Sequence, residues 1–230
     1  MPGTDDRVAT ESGRTGSKEL EKMKSNPVVY LVDDEPIARK TLTHLLSTVG
    51  MQVEAFSSAA DFLQNVDVQA NGCLLLDLFM PNISGLDLLQ MMHERGITLP
   101  TIFVTGHGDV TTAVRAMKAG AFDYIEKPFG HQELLDRVNQ AIAQDARQRG
   151  HIRLVRDWSH RLSTLSDRER QVMDMVVAGR MSKEIATELG VSLKTIERHR
   201  SRIMEKVQVG SVAELVRVVM STESELAMVA

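Results

Sequence analysis

Three carboxylates, one hydroxyl and one amine follow or end short apolar runs in the first 130 residues, and together they could support phosphoryl transfer. These residues are Asp33, Asp34, Asp77, Thr105 and Lys127. Neighbouring carboxylates repel one another, and a hard cation such as Mg²⁺ relieves that repulsion because it prefers oxygen ligands. A carboxylate can also attack phosphorus, while the cation and the amine stabilise charge on the phosphoryl oxygens. The residue types therefore predict a magnesium-dependent phosphorylation site, and we expect Asp77 at its centre.

The apolar runs next to these residues have the length and the flanks of buried strands. Between the runs, apolar residues recur at helical spacing, as at Leu42, Leu46 and Val49. Five such alternations predict an α/β fold with a doubly wound, five-stranded parallel sheet, whose strands meet in one crevice at their carboxyl ends. The fold would thus bring the five polar side chains together. The predicted strands are 28–32, 52–56, 72–77, 101–105 and 122–125.

The composition is typical of a soluble globular protein with one or two domains. Of the 230 residues, 43% are hydrophobic and 25% are charged, and no apolar run is long enough to span a membrane. The acidic N-terminal stretch does not resemble a secretory signal, and the polar residues 1–26 are expected to form a disordered tail. The single cysteine, Cys73, lies in an apolar run and is expected in the core. These features predict a cytoplasmic protein with no membrane partner.

The region after residue 162 has the pattern of a small all-α domain. Between residues 163 and 220 it contains ten basic and eight acidic residues, against six and twelve between residues 27 and 130. Ser166 and Glu169 form a predicted capping box at the start of the first helix. A short helix, a tight turn and a longer basic helix then follow, which is the plan of a helix-turn-helix unit.

The longer helix, from Ser192 to about Val207, carries charges that could contact DNA. It holds five basic and two acidic residues. Its cations could reach phosphates, whereas Glu197, Arg198 and Ser201 are placed for base edges. A charged helix is more often a solvated face, so this interpretation depends on the pattern of the whole domain.

Several short motifs occur together in the first region. They are Val32-Asp33-Asp34-Glu35, Asp77 with Met80-Pro81 and Gly85, Thr105-Gly106, and Tyr124 with Lys127-Pro128-Phe129. With these motifs, residues 28–130 resemble a response-regulator receiver domain over its whole length. The resemblance implies that Asp77 accepts a phosphoryl group from a sensor histidine kinase. It also implies a Mg²⁺ site made by Asp33, Asp34, Asp77 and the backbone carbonyl of Phe79.

The same resemblance implies a coupled change on phosphorylation. Thr105 would turn toward the phosphate, Tyr124 would move inward, and the surface from about 110 to 138 would be remodelled for dimerisation. Phe79, two residues after Asp77, is apolar and cannot hydrogen-bond an attacking water, so we expect a fairly long-lived phosphoryl group. His107 could shield that group or have no role.

The C-terminal motifs complete a second resemblance. They are Leu165-Ser166 with Arg168-Glu169, Lys183-Glu184-Ile185-Ala186, Thr195-Ile196-Glu197 with His199-Arg200, Ile203-Met204 with Lys206, and Glu214-Leu215-Val216. Residues 165–219 resemble a LuxR/FixJ-type DNA-binding domain, which implies that the third helix enters the major groove and the fourth makes dimer contacts. Lys183, Lys194, Thr195 and Arg202 are the expected phosphate contacts. The full predicted interface is Lys183, Lys194, Thr195, Glu197, Arg198, Arg200, Ser201, Arg202 and Lys206.

The sequence as a whole predicts a two-component transcriptional regulator that dimerises on phosphorylation and binds double-stranded promoter DNA. RNA polymerase is a further candidate partner. One alternative is a phosphatase with an aspartate nucleophile, which would need that aspartate on the first strand and a second aspartate two residues later, where Glu35 stands. The other is a regulator that acts without phosphorylation. The predicted segments are a tail at 1–26, the receiver at 27–130, a helical linker with the last receiver helix at 131–162, the DNA-binding domain at 163–222 and a tail at 223–230.

Overall fold

The computed structural model describes residues 26–106 and 109–229, with side chains through residue 223. Contacts between Cα atoms divide the chain into two units, one ending at Arg147 and the other beginning at Gln148. The tail predicted at 1–26 and the phosphate-shielding role considered for His107 fall outside the described residues, apart from Asn26 itself. Among the described residues, no helix is both long and apolar enough to cross a membrane.

The first unit is built on a five-stranded parallel sheet, which confirms the predicted fold class. The strand order is β2-β1-β3-β4-β5. The third strand ends one residue earlier than predicted, and the fifth strand lies one residue later than predicted. Every residue of the central strands β3 and β4 is buried, because helices cover both faces of a doubly wound sheet. The strands are β1 (Val28–Val32), β2 (Gln52–Phe56), β3 (Gly72–Leu76), β4 (Thr101–Thr105) and β5 (Asp123–Glu126).

Alternate residues of each strand supply two separate cores, one on each face of the sheet. Leu74 and Leu76 pack into one hydrophobic cluster, and Cys73 and Leu75 into the other, as the two-residue period of a strand requires. Burial and the nearby Asp145 carboxylate raise the pKa of the Cys73 thiol to about 12. The expectation of a buried core cysteine is therefore confirmed.

Among the described residues, five helices accompany the sheet, and three of them have a side-chain cap at the N-terminus. Ser58, Ser84 and Asp109 each accept a hydrogen bond at the start of a helix. The helices are α1 (Pro36–Thr48), α2 (Ala59–Asn65), α3 (Gly85–Glu94), α4 (Val110–Lys118) and α5 (His131–Ser163).

Helix α4 presents its apolar residues differently from the other helices. The spacing of Val110, Val114 and Met117 predicts a helix, and the helix forms, but all three side chains are exposed. Ala116 is the buried residue of this helix. The apolar stripe is therefore a surface feature of the first unit.

The second unit contains the end of α5 and four further helices around one hydrophobic core. Trp158 and Leu162 of α5 pack in this core with Val172, Ile185 and others. The additional helices are α6 (Asp167–Val177), α7 (Ser182–Glu188), α8 (Leu193–Val207) and α9 (Val212–Val229).

The last helix is longer than predicted, so the tail expected at 223–230 is wrong for residues 223–229. The sequence predicts that this helix ends at Met220, just before Ser221 and Thr222. In the structure the Thr222 hydroxyl donates to the carbonyls of Val218 and Val219 instead. No glycine or proline follows to terminate the helix, and α9 continues to Val229.

Candidate functional site

The carboxyl ends of β1, β3, β4 and β5 bring the predicted chemical residues to one edge of the sheet. The backbone hydrogen bonding of the sheet extends one residue past β3 and β5, which fixes the main-chain positions of Asp77 and Lys127. The Asp77 amide donates to the Val32 carbonyl at 2.8 Å, and the Lys127 amide donates to the Thr105 carbonyl at 2.8 Å. Asp77 and Lys127 are thus placed by the sheet itself.

Asp33 is held on both oxygens of its carboxylate. Its side chain is 3% exposed, and its Oδ2 lies 3.1 Å from the Lys127 ammonium, which comes from a position 94 residues away. Its Oδ1 accepts a hydrogen bond from the Glu35 amide at 2.8 Å. A buried carboxylate needs such partners, because it would otherwise lose its hydration without compensation.

Asp77 is a half-buried carboxylate with an altered acidity. Burial is the main cause that raises its pKa to about 6, and Asp33 and Asp34 raise it further. The Lys127 ammonium opposes this effect, as does a hydrogen bond from the Leu78 amide. The structure therefore brings Asp77 within electrostatic reach of all three charged side chains predicted to accompany it.

The three predicted carboxylate ligands are only partly assembled. Within the described residues, no three His, Cys, Asp or Glu side chains form a group that could hold a metal ion. Asp33 is buried and Asp77 half-buried, whereas Asp34 is exposed. A Mg²⁺ ion is often held by one or two carboxylates plus water, and the unfavourable charge on Asp77 would be relieved by a cation. The oxygen donors of Asp33 and Asp77 therefore fit Mg²⁺, while the position of Asp34 does not complete the set.

The two predicted switch residues lie on neighbouring strands. Thr105 is buried at the end of β4, and Tyr124 pairs with Phe103 across β4 and β5. The Tyr124 hydroxyl is buried and has no hydrogen-bond partner among residues 26–106 and 109–229. Burial, and then the charges of Glu126 and Asp109, raise the pKa of this hydroxyl.

The loop after Asp77 is held by a glycine that sequence reasoning noted only as part of a motif. The Gly85 amide donates to the Leu78 carbonyl at 2.9 Å. A Cβ atom at Gly85 would lie 2.4 Å from the Asp77 carbonyl oxygen, so only glycine allows this approach. Phe79, the predicted source of a carbonyl ligand, has an exposed side chain on this loop.

In the second unit, α8 has the buried face and the exposed face expected of a recognition helix. Ser192 caps it, and Ile196, Ile203 and Val207 are buried. Its remaining face and the start of α7 carry most of the predicted DNA-binding residues. Lys183, Lys194, Glu197, Arg198, Ser201 and Arg202 are exposed.

Three other predicted DNA contacts have partners within the unit. The Arg200 guanidinium donates to the Ser182 hydroxyl at 3.1 Å, and the Thr195 hydroxyl lies 2.8 Å from the Ser192 hydroxyl. The Lys206 ammonium lies 2.7 Å from the buried Glu169 carboxylate and donates to the Thr164 carbonyl. The hydrogen bond from Lys206, followed by the one from the Ser166 amide, holds the pKa of Glu169 at about 2. Lys206 therefore links α8 to the cap of α6, a role that the charge pattern did not reveal.

Sequence reasoning missed two further contacts. The Arg39 guanidinium donates to the Asp33 main-chain carbonyl at 2.6 Å, and no motif pointed to it. The buried Asp145 carboxylate of α5 accepts a hydrogen bond from the Gly72 amide at 2.9 Å, at the start of β3. The sequence pattern could have predicted that Asp145 is buried, because it continues the buried stripe of Leu134, Val138 and Ala141 at helical spacing.

Comparison with known protein families assigns both units. Residues 29–139 match the family described as "Response regulator receiver domain", and residues 163–219 match "Bacterial regulatory proteins, luxR family".

Known relatives are similar to this chain along most of their length. The response regulator protein TodT of Pseudomonas putida is 40% identical over 205 residues, covering 89% of both chains. The transcriptional regulatory protein FixJ of Rhizobium meliloti is 42% identical over 193 residues, covering 84% of this chain and 95% of that protein. The solved structure of the response regulator StyR is 39% identical with a TM-score of 0.76, covering 85% of this chain and 99% of StyR. These relatives are named as regulators rather than enzymes, which argues against the phosphatase alternative.

Proposed function

The chain belongs to the response regulators that join a receiver domain to a LuxR-type DNA-binding domain, and we propose that phosphorylation of Asp77 controls its binding to promoter DNA. The main support is the half-buried Asp77 carboxylate beside the buried Asp33–Lys127 pair, at the carboxyl edge of a parallel sheet. A sensor histidine kinase is the phosphoryl donor in this proposal. RNA polymerase is a further candidate partner, and a DNA-binding regulator is expected in the cytoplasm, where bacterial DNA is found.

The proposed reaction uses the carboxylate of Asp77 as the nucleophile. One of its oxygens attacks the phosphorus of a phosphohistidine, an O–P bond forms, the P–N bond breaks and the imidazole leaves. The Lys127 ammonium lies close enough to lower the pKa of Asp77 and would stabilise charge on the phosphoryl oxygens. Lys127 would have to exchange its present contact with Asp33 for one with the phosphoryl group.

The proposed cofactor is Mg²⁺. Asp33 and Asp77 would hold it, with the Phe79 carbonyl and Asp34 as further oxygen ligands. When bound, the ion supplies positive charge to the oxygens of the transferred group. Before phosphoryl transfer, Asp33 would be shared between Mg²⁺ and the Lys127 ammonium, because its carboxylate has about four lone-pair directions and the contacts with Lys127 and the Glu35 amide use two of them.

The proposed switch connects this crevice to a surface through Thr105 and Tyr124. A phosphoryl group adds roughly two negative charges and new hydrogen-bond acceptors. The Thr105 hydroxyl would turn toward it and Tyr124 would pack into the space at the end of β4. The buried Tyr124 hydroxyl has no partner within the described residues, so its position carries an energetic cost that a rearrangement could relieve.

The proposed output is dimerisation through the surface that includes α4. The exposed stripe of Val110, Val114 and Met117 is apolar, and a second copy of the chain would cover it. Pairing two DNA-binding units raises affinity for a two-fold-related site through effective concentration. The exposed residues of α7 and α8 would contact the DNA, with Glu197, Arg198 and Ser201 at base edges and Lys183, Lys194 and Arg202 at phosphates.

The test is a gel-shift titration with DNA that the phosphorylated wild type enriches from genomic fragments. Acetyl phosphate should stimulate binding by the wild type, and Asp77→Asn should abolish that stimulation because its amide cannot accept the phosphoryl group. Glu54→Gln is the matched control, since Glu54 is an exposed acid on the edge strand β2. Equal stimulation of Asp77→Asn and wild type would remove the proposed mechanism.

A further inference from the structure

Arg39 lies in the first turn of α1 beside the loop that carries two of the proposed magnesium ligands. Its Nη1 atom donates a partly buried hydrogen bond to the main-chain carbonyl oxygen of Asp33 at 2.6 Å. Side chains on a helix lean toward its N-terminus, which lets a first-turn residue reach the preceding loop. The receiver motifs in the sequence do not include Arg39.

This hydrogen bond fixes a peptide group rather than a carboxylate. The Asp33 side chain already has its own partners, the Lys127 ammonium at 3.1 Å and the Glu35 amide at 2.8 Å. The carbonyl that Arg39 contacts belongs to the peptide group joining Asp33 to Asp34. Rotation of that group changes the backbone dihedrals on either side of it, and so changes the direction in which the Asp34 side chain leaves the chain. Asp34 is exposed, so its direction depends on the backbone more than on packing.

We propose that Arg39 is a positioning residue that orients the Asp33–Asp34 peptide and thereby sets how Asp34 is offered to Mg²⁺. This inference rests on the proposed magnesium site. Because Asp33, Asp77 and Lys127 are held by other contacts, loss of Arg39 should act on Mg²⁺ affinity and on the phosphorylation rate differently. Loss of Arg39 should weaken Mg²⁺ binding while leaving the phosphorylation rate at saturating Mg²⁺ nearly unchanged.

Simple electrostatics predicts the opposite change in Mg²⁺ affinity when Arg39 is removed. Arg39 is a cation close to an acidic crevice, so its removal would strengthen Mg²⁺ binding if charge alone mattered. Residues that orient metal ligands typically change metal affinity by 10- to 100-fold, and their removal weakens binding.

The experiment measures Mg²⁺ binding to the unphosphorylated full-length chain by isothermal titration calorimetry. Arg39→Ala should raise the Kd for Mg²⁺ by about tenfold or more. Arg39→Gln removes the charge but keeps an N–H donor, and Arg39→Lys keeps both charge and donor, so both should recover part of the affinity. Lys40→Ala is the matched control, because this neighbour is an exposed cation on the same helix and its removal changes net charge equally.

A second measurement follows the initial rate of Asp77 phosphorylation by acetyl phosphate as a function of Mg²⁺ concentration. For Arg39→Ala the half-saturating Mg²⁺ concentration should rise by the same factor as the Kd, and the maximal rate should stay within about twofold of wild type. If Arg39→Ala does not fold, as judged by circular dichroism, Arg39→Gln takes its place with a smaller expected change.

Two results would overturn the inference. An unchanged or tighter Kd in Arg39→Ala, or a raised Kd together with a maximal rate lowered by more than about twofold, would show that Arg39 does not act only by positioning a magnesium ligand. A wild type that binds no Mg²⁺ at all would instead remove the proposed magnesium site, and the role of Arg39 with it.

Discussion

At the scale of single residues, the crevice combines a buried ion pair, Asp33 with Lys127, and a carboxyl group with a raised pKa, Asp77. Asp33 and Lys127 neutralise each other, whereas burial raises the pKa of the Asp77 carboxyl more than the nearby Lys127 ammonium lowers it. The ionised form of Asp77 is therefore unfavourable, and either a bound cation or transfer of a phosphoryl group would relieve that cost. Perturbed acidity of this kind is common at functional sites.

The first prediction concerns the acidity of Asp77. Carboxyl ¹³C NMR should show a titration midpoint near pH 6, assigned by its loss in Asp77→Asn, and saturating Mg²⁺ should lower it. Because the folded pKa is raised, this group favours folding below an unfolded pKa of about 3.9, and that contribution is lost as the pH rises through 6. Asp77→Asn should therefore be more stable than wild type at pH 7, by about 1 to 2 kcal/mol, a figure discounted because Asp77 is only half-buried and solvent screens its charge. A midpoint near 4 without Mg²⁺ would contradict this account.

At the scale of secondary-structure elements, the ion pair between Glu169 and Lys206 joins the start of α6 to the end of the recognition helix α8. Glu169 also accepts hydrogen bonds from the Ser166 amide and hydroxyl, so one buried carboxylate serves both a helix cap and a helix pair. This arrangement explains why Lys206 is better placed to stabilise the domain than to bind DNA.

Glu169→Gln should consequently destabilise the second unit in a pH-dependent way. Its folded pKa of about 2 is depressed, so the ionised group contributes stability above an unfolded pKa of about 4.3 and loses it as the pH falls toward 2. At pH 7 the expected loss is about 1 to 2 kcal/mol, discounted because the Lys206 side chain is 39% exposed. Urea unfolding followed by the single tryptophan, Trp158, reports on this unit. An equal loss at pH 7 and pH 3 would argue against a charged pair.

Two variants on α8 distinguish a side chain that contacts DNA from one that stabilises the domain. Arg202→Ala should lower the slope of log K against log salt by about one for binding to non-specific duplex DNA, because one phosphate contact is lost. Lys206→Ala removes the same charge one turn later but should leave the slope unchanged, since its ammonium is bound to Glu169. Fluorescence anisotropy across a salt series measures both slopes, and Trp158 emission checks that both variants are folded. A slope lowered equally in both variants would show that Lys206 also reaches the DNA, and an unchanged slope for Arg202→Ala would exclude Arg202 as a phosphate contact.

At the scale of the whole molecule, the protein joins a receiver domain to a LuxR-type DNA-binding domain. The receiver presents an exposed apolar stripe on α4, and we assign this stripe to contact with a second copy. Dimerisation would then turn a local change in charge into a change in DNA affinity.

Val114→Glu should weaken dimerisation without preventing phosphorylation of Asp77. A glutamate at a two-fold interface would oppose its own copy or be buried without a partner, so dimerisation should weaken by about tenfold or more. Light scattering after size-exclusion chromatography, with acetyl phosphate and Mg²⁺, should show a dimer for wild type and a monomer for the variant, while phosphorylation of Asp77 proceeds normally. Val68→Glu is the control, because Val68 is 47% exposed and Val114 is 45% exposed. A phosphorylated Val114→Glu that still dimerises would exclude this surface.

The sequence by itself determined the parallel sheet, the capping box of Ser166 and Glu169, and the position of Asp33, Asp77, Thr105 and Lys127 at strand ends. Periodicity and local capping are properties of neighbouring residues, and right-handed connection of buried strands leaves few other folds. The family motifs extended this to the function of both units.

Only the tertiary structure decided which partners the long and charged side chains have. Lys206 meets Glu169, 37 residues away, and Arg39 reaches the carbonyl of Asp33, while Asp34 remains exposed. The stripe on α4 faces outward although its spacing is equally suited to a core. Periodicity specifies that a helix has an apolar face, but which neighbour covers that face, and where a flexible cation finds its acid, depends on elements that only folding brings together.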